Sequence, residues 1–232
     1  MKTILCYGDS NTWGHDPRTL GRYGPHERWP GVLQDELGAG FRVVEEGLCG
    51  RTTCFPDPFD PALDGRALLP AILKSHKPLD LVAIMLGTND LKTRFAAPAA
   101  DIAWGAGLLV ETVQKSVAGP LRPGSAPAGW PAGTPLYAAP QVLLIAPPPI
   151  KTPPDPECFA AAGEKSREFG RHYRQIAELY QCHFLDAGQV IESSDVDGVH
   201  LDREAHLALG RAVAQRVRAV LGAEREGRGV SP

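Results

Sequence analysis

Ser10 stands in "ILCYGDSNTWG" (residues 4 to 14), where an apolar run stops at Gly8-Asp9-Ser10. Gly, Asp and Ser together can be plain turn punctuation. They can also hold a serine hydroxyl at the point where a buried strand runs out. A hydroxyl is a weak nucleophile at neutral pH until a base takes its proton, and imidazole suits that task. Of the seven histidines, His200 in "DVDGVH" (195 to 200) is the best placed. It follows a turn-forming Asp-Gly and precedes a last helical stretch whose expected N-cap is Asp202. Asp197, three residues upstream, can hold one ring nitrogen while the other faces Ser10. An isolated D-x-x-H is more often a local turn bond, so the pair gains meaning only from the groups that join it.

Acyl transfer also needs donors aimed at the oxyanion, and loss of one typically costs ~3 kcal/mol of barrier. Asn89 in "GTND" (87 to 90) can project its amide from a strand end, and Gly50 in "EEGLCGRTT" (45 to 53) can offer a backbone N–H at close range. The N–H of Ser10 itself, at the first turn of a following helix, completes the set with help from the helix dipole. Alone, Asn89 reads as a turn residue and Gly50 as a bend. Their joint occurrence with Ser10, Asp197 and His200 favours a serine hydrolase. Asp9 is expected to be structural, accepting hydrogen bonds that fix the strand-to-helix turn. Trp13, Phe95 and Phe159 are candidates for a pocket wall, with a core role equally compatible. Lys92 would face either the entrance or solvent.

These residues need a scaffold that gathers them. Five runs rich in aliphatic and aromatic residues recur, at 3 to 7, 41 to 46, 79 to 86, 141 to 146 and 183 to 187, with helical stretches between them. Phe169, Tyr173, Ile176 and Tyr180 fall on one helical face, as do Leu209, Val213, Val217 and Val220. Alternating apolar strands and helices predict a three-layer α/β/α sandwich with a central five-stranded parallel sheet. Ligands of such sheets bind outside the carboxyl ends of the strands, where Gly8-Asp9-Ser10, "EEGLCGRTT", "GTND" and the segment reaching His200 all fall. Two segments break the rhythm: a Pro/Gly/Ala excursion at 119 to 140 with Trp130 at its middle, and "PPPIKTPPDPEC" (147 to 158), which is placed to wall a pocket. The last residues, 222 to 232, have no apolar anchor and are expected to fray.

A chain of 232 residues suits one domain, here 1 to 221. The net charge of −3 and the absence of a Lys/Arg cluster argue against nucleic acid or an anionic membrane as partner, and favour a small neutral one. No apolar run is long enough to span a bilayer, and no signal-peptide pattern opens the chain, so a cytoplasmic protein is expected. Five scattered cysteines without a C-x-x-C pair read as reduced thiols, Cys49 alone lying in a segment with candidate site residues.

Together "GDSNTWG", "GLCGRTT", "GTND" and "DGVH" resemble, in order and spacing, the four blocks of the SGNH hydrolases, also called the GDSL esterase family. The stretches "RWPGVLQDELG", "LDLVAIMLGTNDLK", "QVLLIAPPP" and "FLDAGQVI" extend the likeness to the arylesterase and acyltransferase branch that holds a mycobacterial perhydrolase, over nearly the whole chain to Leu221. The resemblance implies a flavodoxin-like fold and a catalytic set of Ser10, Asp197 and His200, with Ser10, Gly50 and Asn89 as the oxyanion hole. It implies hydrolysis of short-chain and aryl esters, with acyl transfer to alcohols or hydrogen peroxide as a side activity. No cofactor and no metal are implied. A homo-oligomer, octameric in the branch, would use the 119 to 140 excursion as a contact arm. Asn11 replaces an apolar residue of the mycobacterial enzyme beside the nucleophile, where a polar group can hold water in the pocket. Gly50 replaces an alanine there and keeps the backbone donor.

Other readings compete. A carbohydrate O-deacetylase would use the same fold and residues. A magnesium-dependent phosphatase would use Asp9 as nucleophile, but Asn11 stands where its second carboxylate belongs. A metal held by His200, His206 and Asp202 fails on spacing. A non-catalytic module would merely hold a polar ligand with Ser10 and Asn89.

Overall fold

The structure, a computed structural model, describes residues 1–122, 124, 134–151, 155 and 157–222. Its strands are β1 (Lys2–Gly8), β2 (Phe41–Gly47), β3 (Leu81–Met85), the two-residue β4 (Leu121–Arg122) and β5 (Leu136–Tyr137), β6 (Gln141–Ala146) and β7 (His183–Asp186). The five longer ones form a parallel sheet in the order β2-β1-β3-β6-β7. Each coincides with a run expected from sequence to within two residues at either end. The helices are α1 (Ser10–Trp13), α2 (Trp29–Leu37), α3 (Gly65–His76), α4 (Ala99–Gln114), α5 (Ala162–Arg167), α6 (Phe169–Leu179) and α7 (Arg203–Gly222).

Strand alternation divides the core into two layers, because successive side chains point to opposite faces. Ile4 and Cys6 of β1 join Trp29 and Leu33 of α2 and Leu209, Val213 and Val217 of α7 on one face. Leu5 and Tyr7 join Leu69 of α3, Ile102 of α4 and Phe169, Tyr173 and Ile176 of α6 on the other. The α/β/α sandwich is therefore present. Tyr180 lies just past the end of α6 as its C-cap, still packed on the same cluster, and Val220 is the partly buried end of the α7 stripe.

The base of the 119 to 140 excursion is more ordered than a loop, for β4 and β5 pair antiparallel. Trp130 and the other residues between 125 and 133 lie outside the described residues, as does the expected frayed tail from 223 onward. Among the described residues, no helix is long and apolar enough to cross a membrane.

α1 crosses the ends of β1 and β2 at a distance that excludes side chains. A Cβ on Gly8 would lie 2.0 Å from Thr12 Oγ1, and one on Gly47 would lie 2.1 Å from the backbone nitrogen of Trp13. The second clash is with backbone, which cannot rotate away. Gly47→Ala is therefore expected to cost ~1–3 kcal/mol or more, as overpacking of a filled interior does. In a chain of this size that is a fall of roughly 2–10 °C in Tm. An unchanged Tm would show that α1 does not rest on the end of β2.

Candidate active site

Ser10 is the first residue of α1, and Asp9 is its N-cap: the Asp9 carboxylate accepts from the backbone N–H of Asn11 at 2.9 Å. That bond turns the chain sharply out of β1, so Ser10 sits at the carboxyl edge of the sheet, 8% exposed. Its Oγ lies 3.0 Å from His200 Nε2. His200 Nδ1 in turn lies 2.6 Å from Asp197 Oδ2. An ionised carboxylate can only accept, so it assigns the ring proton to Nδ1 and leaves Nε2 free to accept from Ser10.

The loop carrying this pair is folded on the Asp197 side chain. Asp197 Oδ1 accepts from the backbone N–H of both Val199 and His200, each at 2.9 Å. Burial would raise its pKa, but the hydrogen bonds from the His200 ring and from these two N–H groups prevail, and the carboxyl falls to about 2. Asp202, just ahead of α7, accepts from Ser194 Oγ at 2.9 Å while its carbonyl takes the His206 N–H.

Asn89 lies in a 3₁₀ turn (Asn89–Leu91) after β3, and its Nδ2 donates to the carbonyl of Arg51 at 3.1 Å, which uses one of its two N–H bonds. Gly50, at φ +87°, lies beside it in the backbone region that favours glycine. Two buried groups lock these loops together. Asp90 accepts from Thr53 N and, at 2.5 Å, from Thr53 Oγ1; burial pushes its carboxyl up to about 7 against those bonds. Arg51 donates to the carbonyl of Gly8 at 2.8 Å and also to that of Glu46, with its guanidinium 4.2 Å above the Tyr7 ring.

Ser10, Gly50, Asn89, Asp197 and His200 all line one cavity of about 350 Å³. Lys92 and Phe159, expected in its wall, are there too. Three other expected wall residues lie outside its lining. Asn11 follows Ser10 by one helical step, about 100° around the axis, and is buried with Nδ2 donating to the carbonyl of Val199 at 3.3 Å. It is a strut for the histidine loop and not part of the cavity wall. Trp13 lies under the guanidinium of Arg22, 4.9 Å from its ring centre. Phe95 packs against Phe55 and the core beneath.

Sequence reasoning missed His15, which lines the cavity with its ring centre 4.2 Å from that of His200. Burial and the neighbouring imidazole hold its pKa below the usual histidine value. Nothing periodic marks it: it follows the left-handed C-cap Gly14, where the chain leaves α1. Cys49 also faces the cavity, but burial and the Asp9 carboxylate push its thiol up, away from the reactive thiolate. The Pro-rich segment after β6 contributes Asp155 to the wall.

The competing sites fare differently. Asp9 is 1% exposed, spends its carboxylate on Asn11, is raised to about 6 by burial, and does not line the cavity, which removes it as a nucleophile. His206 is fully buried, with Nδ1 accepting from the Trp29 N–H at 3.3 Å, and its ligand atoms do not converge with those of Asp202 and His200. Among the described residues, the group whose ligand atoms could meet around a cation is His15, Asp197 and His200, all within 4.8 Å of one another. Two of the three are already bonded to each other.

Known proteins share this architecture. The structure of an aryl esterase from M. smegmatis superposes with a TM-score of 0.85 at 42% identity, covering 94% of this chain and 99% of that one. A carbohydrate acetylesterase from Sinorhizobium meliloti superposes equally well, TM-score 0.85, at 40% identity over 95% of this chain and all of the other. An acetylxylan esterase from Xylanibacter ruminicola is 26% identical over 226 residues; the chain spans 43% of that protein's length. Residues 6–208 match the model of the GDSL-like Lipase/Acylhydrolase family, and with the fold and the likeness to the aryl esterase this places the chain in that family.

Proposed function

We propose that the chain is a serine esterase that hydrolyses short-chain and aryl carboxylic esters through an acyl-enzyme on Ser10. The observation that carries this reading is the continuous relay from Ser10 Oγ through the His200 ring to Asp197, at 3.0 and 2.6 Å, opening into a cavity. Ser10 Oγ attacks the ester carbonyl while its proton passes to His200 Nε2. Asp197 stabilises the imidazolium that forms. The oxyanion is taken by the N–H groups of Ser10 and Gly50 and by the remaining Nδ2–H of Asn89. His200 then protonates the leaving oxygen, and water, an alcohol or hydrogen peroxide releases the acyl group by the reverse sequence.

Carbohydrate O-deacetylation is the second reading, favoured by near-equal likeness to the aryl esterase and the acetylesterase. Both use the same residues and differ in the leaving alcohol. We also propose a cytoplasmic location, supported by five cysteines without a disulfide. Assembly into a homo-oligomer, expected to be an octamer, is supported by Phe59 and Leu121, large apolar side chains that are 82% and 61% exposed. Leu121 lies at the base of the excursion expected to act as the contact arm.

Ser10→Ala is expected to abolish p-nitrophenyl acetate turnover and fluorophosphonate labelling while leaving the Tm close to that of the parent. Retained turnover would remove Ser10 as nucleophile. The Asp197 carboxyl, at about 2, is ionised at every pH where enzymes are usually assayed. Its depressed pKa means that its contribution is complete above the ordinary carboxylate range and is lost only as pH falls through 2. Asp197→Asn should lower kcat by about 10⁴-fold at pH 8 to 9. A loss of less than tenfold there would show that the carboxylate does not sustain the histidine in the reaction. Light scattering tests the assembly: a mass eight times that of the 24.9 kDa chain is expected, and a monomer overturns it.

A further inference from the structure

The cavity holds one ammonium group, and the reaction does not use it. Lys92 caps the turn that carries Asn89, lines the cavity with Ser10, and is half-buried. Among the described residues its ammonium has no carboxylate within ion-pair distance, and the acids around it are bonded elsewhere, Asp9 to the Asn11 N–H. Asp57 is bound by Arg94 Nη2 at 2.5 Å. Asp197 is held by the His200 ring and two backbone N–H groups. Asp155, also in the cavity lining, takes the backbone N–H of Cys158 at 2.9 Å and is exposed, so water screens what charge remains. Loss of hydration and the charge of Arg94 hold the ammonium below its usual pKa.

A cation stripped of part of its water and given no partner gains from any anion brought to it. The aromatic face of Phe159 in the same wall suits a flat ring between that anion and the ester. We propose that Lys92 is a specificity-determining residue that selects esters whose alcohol or phenol portion carries a carboxylate. The inference rests on the esterase reading of the same site.

The test compares kcat/KM for 4-acetoxybenzoate with that for phenyl acetate, in the parent and in Lys92→Met and Lys92→Arg, with benzoate binding measured by calorimetry on the same proteins. Lys92→Met should lower the ratio of anionic to neutral ester by about tenfold, the effect of one charged contact. Benzoate affinity should fall by a similar factor, and Lys92→Arg should keep most of both. Added salt should depress the ratio in the parent and leave it unchanged in Lys92→Met. An unchanged ratio in Lys92→Met, or an equal loss on both esters, overturns the proposal. If the parent hydrolyses neither ester yet binds benzoate through Lys92, the anion site stands and the esterase reading falls.

Discussion

The contact between Ser10 Oγ and His200 Nε2 joins residues 190 positions apart, and everything the site does depends on it. Parallel strands bring their carboxyl ends to one edge, but not to one point. β7, which precedes the histidine loop, lies three places from β1 in the sheet, about 14 Å at the usual strand spacing. The segment from 187 to 200 must therefore travel back across that edge, and backbone bonds hold its course. Ser194 N–H donates to the carbonyl of His200 and Lys151 N–H to that of Gly198, both at 2.7 Å. Asn11 closes the gap from the other side by donating to Val199. The nucleophile's own helix thus anchors the loop that delivers its base.

The serine end is fixed by sterics. Gly8 and Gly47 let α1 press on two strand ends, and the Asp9 cap sets the direction in which it leaves. The oxyanion side is fixed by buried polar bonds. Asp90 pulls the Thr53 segment toward the end of β3, and Arg51 ties the ends of β1 and β2 through the carbonyls of Gly8 and Glu46. The edge of the sheet is a set of loops cross-braced by side chains that never touch the cavity.

That division explains what could be read from the chain without coordinates. Strand runs are legible because burial on both faces demands uninterrupted apolar residues, and the five boundaries follow from that. Ser10, Gly50, Asn89, Asp197 and His200 are legible because the chemistry restricts residue type and the sheet restricts place. The pocket wall obeys neither restriction. Asn11 and Trp13 neighbour the nucleophile in sequence yet turn away within a single helical turn, while His15 arrives only after the left-handed break at Gly14. Phe95 and Phe159 have the same side chain, and which one reaches the cavity depends on how the segment after β6 folds over the edge. The two-stranded pairing at 121 to 137 involves too few residues to leave a periodic trace.

Three carboxyls of the site show how environment outweighs residue type. Asp9 and Asp90 are raised to about 6 and 7 by burial, whereas Asp197 is lowered to about 2 because three donors converge on it. The linked stabilities have opposite signs. For Asp9 and Asp90 the folded pKa exceeds the unfolded one, so their contribution is complete at low pH and is lost as pH rises through 6 and 7. For Asp197 it is present above the ordinary carboxylate range and lost only as pH falls through 2. Near neutral pH the chain therefore carries the cost of ionised or ionising carboxyls beneath the site while gaining from the one beside the histidine. Apolar replacements for Asp9 and Asp90 would escape that cost, but they would also remove the acceptors that shape the serine turn and hold the oxyanion loop. The burial that raises these two carboxyls comes with the bonds that place Ser10 and Asn89, and those bonds work against it.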